Sequence, residues 1–124
     1  MNTDQAHELP DLPGIDVQAG LKVTRNNVQL YRRLLLKFLD GQQNYLDQFA
    51  EARSQQDHLA MSRVAHTLKG VAGNLGISSI YDIVVKLEAA CNSEADNIDE
   101  LLNTTIARLA TVCNDIVVLR DENA

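Results

Sequence analysis

Residues 57–76 read Asp57-His58-Leu59-Ala60-Met61-Ser62-Arg63-Val64-Ala65-His66-Thr67-Leu68-Lys69-Gly70-Val71-Ala72-Gly73-Asn74-Leu75-Gly76. At 100° per residue, Val64, Leu68, Val71 and Leu75 fall within about 60° of one another, which predicts an amphipathic helix with one core-facing stripe. Asp57 is the expected N-cap and Gly76 the expected end. His66 points roughly opposite the stripe, towards water. Ser62, Arg63, Lys69, Gly70 and Gly73 flank it on the same side. A glycine inside a helix costs about 1 kcal/mol relative to alanine. Two of them on an exposed face add nothing to stability. They clear bulk from around His66, and a bare convex surface suits a docking partner.

The segments on either side carry the same helical period. Asp16 is expected to cap a short helix that Gly20 weakens or ends. Over 26–53, Tyr31, Leu35, Phe38, Tyr45 and Phe49 recur at three- and four-residue steps, with Gln42 filling one slot. Asn26 or Asn27 is the cap, and the stripe keeps its phase across Gly41, which predicts one long helix with a weak point. Ser78 or Ser79 opens a further helix carrying Ile80, Ile83, Val84, Leu87 and Cys91. Asn92 to Asp96 is a polar turn. Asn97 with Glu100 resembles a capping box ahead of a last helix carrying Ile98, Leu101, Leu102, Thr105, Leu109, Val112, Ile116 and Val117, which frays near Arg120. No run shows the alternation of a strand. Short connections between long amphipathic helices imply an all-α fold, an antiparallel up-down four-helix bundle with a short extra N-terminal helix. Pro10, Pro13 and Gly14 mark residues 1–14 as a tail or interdomain linker. The bundle is expected over 15–120, with a C-terminal tail at 121–124.

The chain has 124 residues and a formal net charge of −6, with 45% apolar and 4% aromatic residues. The apolar share is too high for a disordered segment. The acidic balance argues against nucleic acid as a partner. No run approaches eighteen uninterrupted apolar residues, and 1–14 lacks a signal-peptide layout, so no membrane contact is expected. The excess acid is confined to 82–124, with nine acids and three bases, against eight of each in 1–81. Lys22, Arg25, Arg32, Arg33 and Lys37 form a run without an acid. It is either a solvated helix face or a patch that steers an acidic protein partner. Cys91 and Cys113 fall at apolar positions and read as buried reduced thiols.

An exposed imidazole is a neutral nucleophile near pH 7. Lys69, one turn on, places a cation near any anion formed on the ring, a phosphoryl group included. Hydrolysis needs a pocket and a paired nucleophile, which a convex face lacks. A metal site needs convergent ligands, and His58, His7 and the two cysteines have no such spacing.

His66-Thr67-Leu68-Lys69-Gly70-Val71-Ala72-Gly73-Asn74-Leu75-Gly76 resembles the signature of the histidine-containing phosphotransfer (HPt) domain family, H-x-L-K-G-x-[AS]-x-x-[LIM]-G, at every fixed position. Leu30-Tyr31 to Phe38 resembles the family's second helix and Lys86-Leu87-Glu88 its fourth, so the similarity covers about residues 15–119. The resemblance implies that His66 is the phosphoacceptor through Nε2. Lys69 would neutralise the phosphoryl group, and Gly70 would admit the partner's loops. Docking roles for Gly73, Asn74, Ser62 and Arg63 are inferred from their place on the same face. The implied partners are receiver domains of a hybrid sensor kinase and of a response regulator, which would supply Mg²⁺. The chain has no nucleotide loop of its own and would be a carrier, not a complete enzyme. A monomer is expected, cytoplasmic or at the cytoplasmic end of an inner-membrane sensor kinase. Two rival readings stand beside this one. The first is the phosphoacceptor domain of a chemotaxis-type kinase, where a glutamate usually shapes the histidine face. No acid within a turn of His66 weighs against it. The second is a helical adaptor that binds receivers without transfer.

Overall fold

A computed structural model of the chain describes residues 9–10 and 12–122. Among them lie six helices: α1 (Val17–Val23), α2 (Val28–Asp40), α3 (Gln42–Ser54), α4 (His58–Leu75), α5 (Ser78–Ser93) and α6 (Ile98–Glu122). None of the described residues is in a strand. Side-chain caps start three of the helices where the sequence places them. Asp16 Oδ1 accepts from the Ala19 amide at 3.1 Å, Asn27 Oδ1 from Leu30 at 3.0 Å, and Asp57 Oδ1 from Ala60 at 3.0 Å. Each supplies an acceptor to a helix-terminal amide that has none within the helix.

The single helix expected over 26–53 is two helices. At Gly41 the backbone turns to φ −87° and ψ −1°, and its amide is shared between the carbonyls of Lys37 and Phe38 at 3.0 and 3.1 Å. The ladder is interrupted there, yet the apolar phase survives. Tyr31, Leu35, Phe38 and Phe49 are buried on both sides of the break, and the rings of Phe38 and Tyr45 bridge it at 6.1 Å.

One core gathers all six helices, with Leu21, Tyr31, Leu35, Phe49, Leu68, Ile80, Leu87, Leu102, Leu109 and Ile116 fully buried. By length and composition Ile98–Arg120 matches a membrane span. Its apolar stripe is nevertheless buried against the other helices, ending at Leu119 rather than Val117, which is exposed. The helix continues to Glu122, so 121–122 are not part of a tail. Cys91 and Cys113 are buried and free, and burial pushes the Cys113 thiol up to about 11.

The expected tail is anchored from residue 12 on. Leu12 is buried. The Gly14 carbonyl accepts from the Ser79 amide at 3.1 Å and from Ser78 Oγ at 3.2 Å. His7 lies outside the described residues. Nor does Gly20 end α1. The helix runs through it, and a Cβ there would stand 2.4 Å from the Tyr31 ring. That close approach lets Tyr31 Oη donate to the Leu75 carbonyl at 2.6 Å, tying α2 to the end of α4. Burial, with the Asp16 charge nearby, raises the Tyr31 phenol pKa, so it stays a donor.

Candidate functional site

His66 stands on α4 away from the core stripe, with its side chain 68% exposed. α5 packs along one flank of α4. Ser62 faces Asn92, His66 and Lys69 face Glu88, and Gly73 faces Tyr81. Those pairings run in opposite directions along the two chains, so α4 and α5 are antiparallel. The turn between them needs Gly76, which sits at φ +72°.

One carboxylate organises the site. Glu88 Oε2 lies 2.8 Å from His66 Nδ1, and Glu88 Oε1 accepts from Lys69 Nζ at 2.6 Å. An ionised carboxylate only accepts, so Nδ1 carries the hydrogen of the neutral ring. Nε2 is then left with the lone pair, on an exposed ring. Glu88 is itself mostly covered, 17% exposed. The Lys69 hydrogen bond holds its carboxyl below the usual glutamate range. Burial opposes this, while the His66 hydrogen bond and the two neighbouring charges reinforce it. The acid is therefore ionised and in place at neutral pH.

The expected site residues divide. His66 is exposed, and Lys69 is held close to its ring through the shared carboxylate. A Cβ on Gly70 would meet nothing within 4 Å, so the surface beside the imidazole is open. Arg63 and Asn74 are exposed. Ser62 is not a docking-rim residue. It is 7% exposed and donates to Asn92 Oδ1 at 2.8 Å, because α5 covers that side of the helix. Gly73 is exposed, like Arg63 and Asn74, with the Tyr81 ring beside it, where an added Cβ would stand at 3.4 Å.

Glu88 was missed at the sequence level because it is 22 residues from His66. The absence of an acid within a turn of His66 therefore does not count against a glutamate-supported histidine. A signal existed: Glu88 sits one position off the stripe of Val84, Leu87 and Cys91, where an acid looks sideways at a neighbouring helix. His58 is at the far end of α4, 3.9 Å from Glu94. Among the described residues no group of three or more His, Cys, Asp or Glu is placed to hold a metal ion.

The family model described as "Hpt domain" matches residues 33–116. Among solved structures, the chain is similar to the crystal structure of the HPT domain from the Hpt sensor hybrid histidine kinase from Shewanella. The TM-score is 0.79 at 17% identity, covering 90% of this chain and 97% of that one. No curated protein matches the sequence.

Proposed function

The chain belongs to the Hpt domain family, and from that premise we propose that His66 carries a phosphoryl group between the aspartates of two receiver domains. Family membership implies histidine phosphotransfer in a two-component phosphorelay, by a carrier without its own ATP site. The observation that carries the residue assignment is the Glu88 carboxylate on Nδ1, because it leaves Nε2 as the nucleophile on an open face. In the forward step Nε2 attacks phosphorus, the bond from phosphorus to the aspartyl oxygen breaks, and the carboxylate leaves. The return step reverses these bonds. Phosphoryl transfer depends mainly on positioning and charge neutralisation. Lys69 supplies the cation, turning from Glu88 towards the phosphoryl oxygens. Gly70 leaves the partner's loops room to close. Mg²⁺ is held by the receiver's carboxylates, not by this chain.

The transferring unit is an antiparallel up-down four-helix bundle over residues 12–122, with α1 as its short extra helix and α2 and α3 sharing one side. It works as a monomer in the cytoplasm, as a hybrid-kinase module or a free shuttle. Incubation with a phosphorylated receiver tests the reading. The expected product is acid-labile, base-stable phosphate on the chain. His66→Gln abolishes it with the fold intact, and Lys69→Ala slows transfer without unfolding. Persistent labelling of His66→Gln refutes the site, and wild-type kinetics in Lys69→Ala removes the role of the lysine.

One observation favours a second reading. A glutamate on the histidine also suits the phosphoacceptor domain of a chemotaxis-type kinase, which is charged from ATP by a separate catalytic domain. Exchange with receivers in both directions supports the relay, and charging only by a kinase catalytic domain supports the alternative.

A further inference from the structure

α6 is apolar enough by composition to span a membrane, yet only 33% of its most apolar stretch is buried. Its apolar content exceeds what the core takes up, and the surplus is on its outer face. Between Asn103 and Val118 the exposed positions include Ala107, Ala110, Asn114, Val117 and Val118. Arg108 alone among the exposed residues of that stretch is charged, and its guanidinium is turned onto the Ser79 carbonyl at 2.9 Å. The outer faces of α2 and α3 do carry charge, with Arg33 and Lys37 on one and Asp47 and Glu51 on the other. At 100° per residue, Asn103, Ala110, Asn114 and Val117 fall within about 60° of one another and form a single stripe. The stripe borders a hollow of about 240 Å³ between α3 and α6, lined by Phe49, Ala50, Leu102 and Ile106. α6 packs on α5, α2 and α3, and α4 packs on α5, α3 and α1, so the outer faces of α4 and α6 point away from each other. This groove is on the side of the bundle away from His66.

Carboxylates border the stripe on the edge away from α3. Glu100 and Asp115 are about 22 Å apart along the helix, or about four turns. Neither is drawn into an ion pair among the described residues. The neighbouring bases are already held, Arg53 by Asn103 Oδ1 at 2.7 Å and by Asp99 at 3.7 Å, and Arg120 by Asp40. The groove therefore offers an apolar floor and two carboxylates without cations. An anionic lipid surface is repelled by such an edge, whereas a helix with basic residues at matching spacing is attracted.

We propose that the groove between α3 and α6 seats a cationic amphipathic helix of a partner protein. An apolar side chain fills the hollow at Phe49 and Ile106, and a basic residue near each end faces Glu100 and Asp115. Ala107 and Ala110 let the two helix axes approach to about 8 Å, the close end of helix packing. The proposal does not rest on the phosphotransfer reading. A helix bound here leaves the His66 face open and so tethers the domain without competing with a receiver.

The test uses the full chain and a synthetic helical peptide of about five turns, with leucine and alanine on one face, glutamine on the other and a lysine near each end. Its counterpart carries glutamate in place of both lysines. The lysine peptide should bind about three- to tenfold more tightly than the glutamate peptide. In ¹⁵N NMR it should shift the amides of Ala50, Ala107, Ala110 and Asn114 and leave that of His66 in place. Ala107→Gln with Ala110→Gln should weaken the lysine peptide about tenfold, as bulk in a close helix contact does. Glu100→Gln with Asp115→Asn should weaken it about three- to tenfold and flatten its salt dependence. Asp82→Asn, an exposed charge change on α5, should leave affinity unchanged. Equal binding of the two peptides, or a carboxylate variant that behaves like Asp82→Asn, overturns the basic ends. Unchanged affinity in the alanine variant, or shifts gathered around His66, overturns the groove. Self-association that the alanine variant abolishes assigns the face to a second copy. Binding to phosphatidylserine vesicles that the same variant abolishes assigns it to a membrane. Either result overturns the proposal. Labelling of His66 by a receiver is read separately, so a failure here leaves the phosphotransfer reading standing.

Discussion

Gly70 and Gly76 stand six positions apart in one helical signature and are glycines for opposite reasons. Gly70 is in ordinary helix with open space around it. Gly76 holds a left-handed backbone at φ +72°, and a Cβ there would lie 2.2 Å from the Asp16 carbonyl oxygen. The first is a vacancy on the surface beside His66. The second is a joint in which the end of α4 meets the start of α1. Gly73, between them, is intermediate, with the Tyr81 ring against it. One short motif thus contains an open surface position and a folding residue, and the difference is legible only from what surrounds each.

Substitution separates the two. Gly76→Ala should be the most damaging change. It forces a positive φ on alanine and drives a methyl into the Asp16 backbone, which also donates to the Gly76 carbonyl at 2.6 Å. A loss of about 3–5 kcal/mol is expected in urea unfolding, at the upper end for point substitutions. A loss under about 1 kcal/mol would mean the joint relaxes freely and the contrast is false. Tyr31→Phe probes the same joint from α2. Deleting the hydroxyl leaves the Leu75 carbonyl without that donor and should cost about 1–3 kcal/mol.

Glu88→Gln moves to the exposed end of the comparison. Glu88 has a lowered carboxyl pKa in the folded protein, first through Lys69, so between its folded and unfolded pKa values the folded state binds fewer protons. The stabilisation is complete above the ordinary glutamate value of 4.5 and is lost as pH falls through the lower folded value. Wild type should therefore exceed Glu88→Gln in stability at pH 7, by about 1 kcal/mol or less for a partly exposed pair. The gap should close on acidification below pH 4.5. A gap that widens in acid would contradict the assigned ion pair. Gly70→Ala has the smallest expected effect and the opposite sign, a gain of up to about 1 kcal/mol in stability. Gly70→Leu should stabilise similarly while weakening receiver docking. Unchanged receiver affinity would remove the clearance role of Gly70.

Local chemistry was readable in the sequence, and the partner of each face was not. Asp16, Asn27 and Asp57 announce their helices because a cap acts on amides three residues away. The stripe Val64, Leu68 and Leu75 is buried as its period requires. Periodicity gives the phase of a helix but does not say which neighbour covers the edges of the stripe. Ser62 looked like a rim residue and lies under α5. Glu88, 22 residues away in the sequence, lies against His66. Gly20 looked like a helix stop because the closeness of Tyr31 is a tertiary fact. Gly41 kept the apolar phase while the backbone gave way, since packing constrains the stripe more strongly than the ladder.

The most direct measurement is ¹H–¹⁵N–³¹P NMR of the protein after phosphorylation by a receiver, with histidine labelled in ¹⁵N. With Nδ1–H held by Glu88, phosphorus should couple to Nε2 of His66 and to no other nitrogen. Phosphorus on Nδ1, or a labelled protein in which His66 is unmodified, would contradict the assignment of His66 Nε2 as the phosphoacceptor.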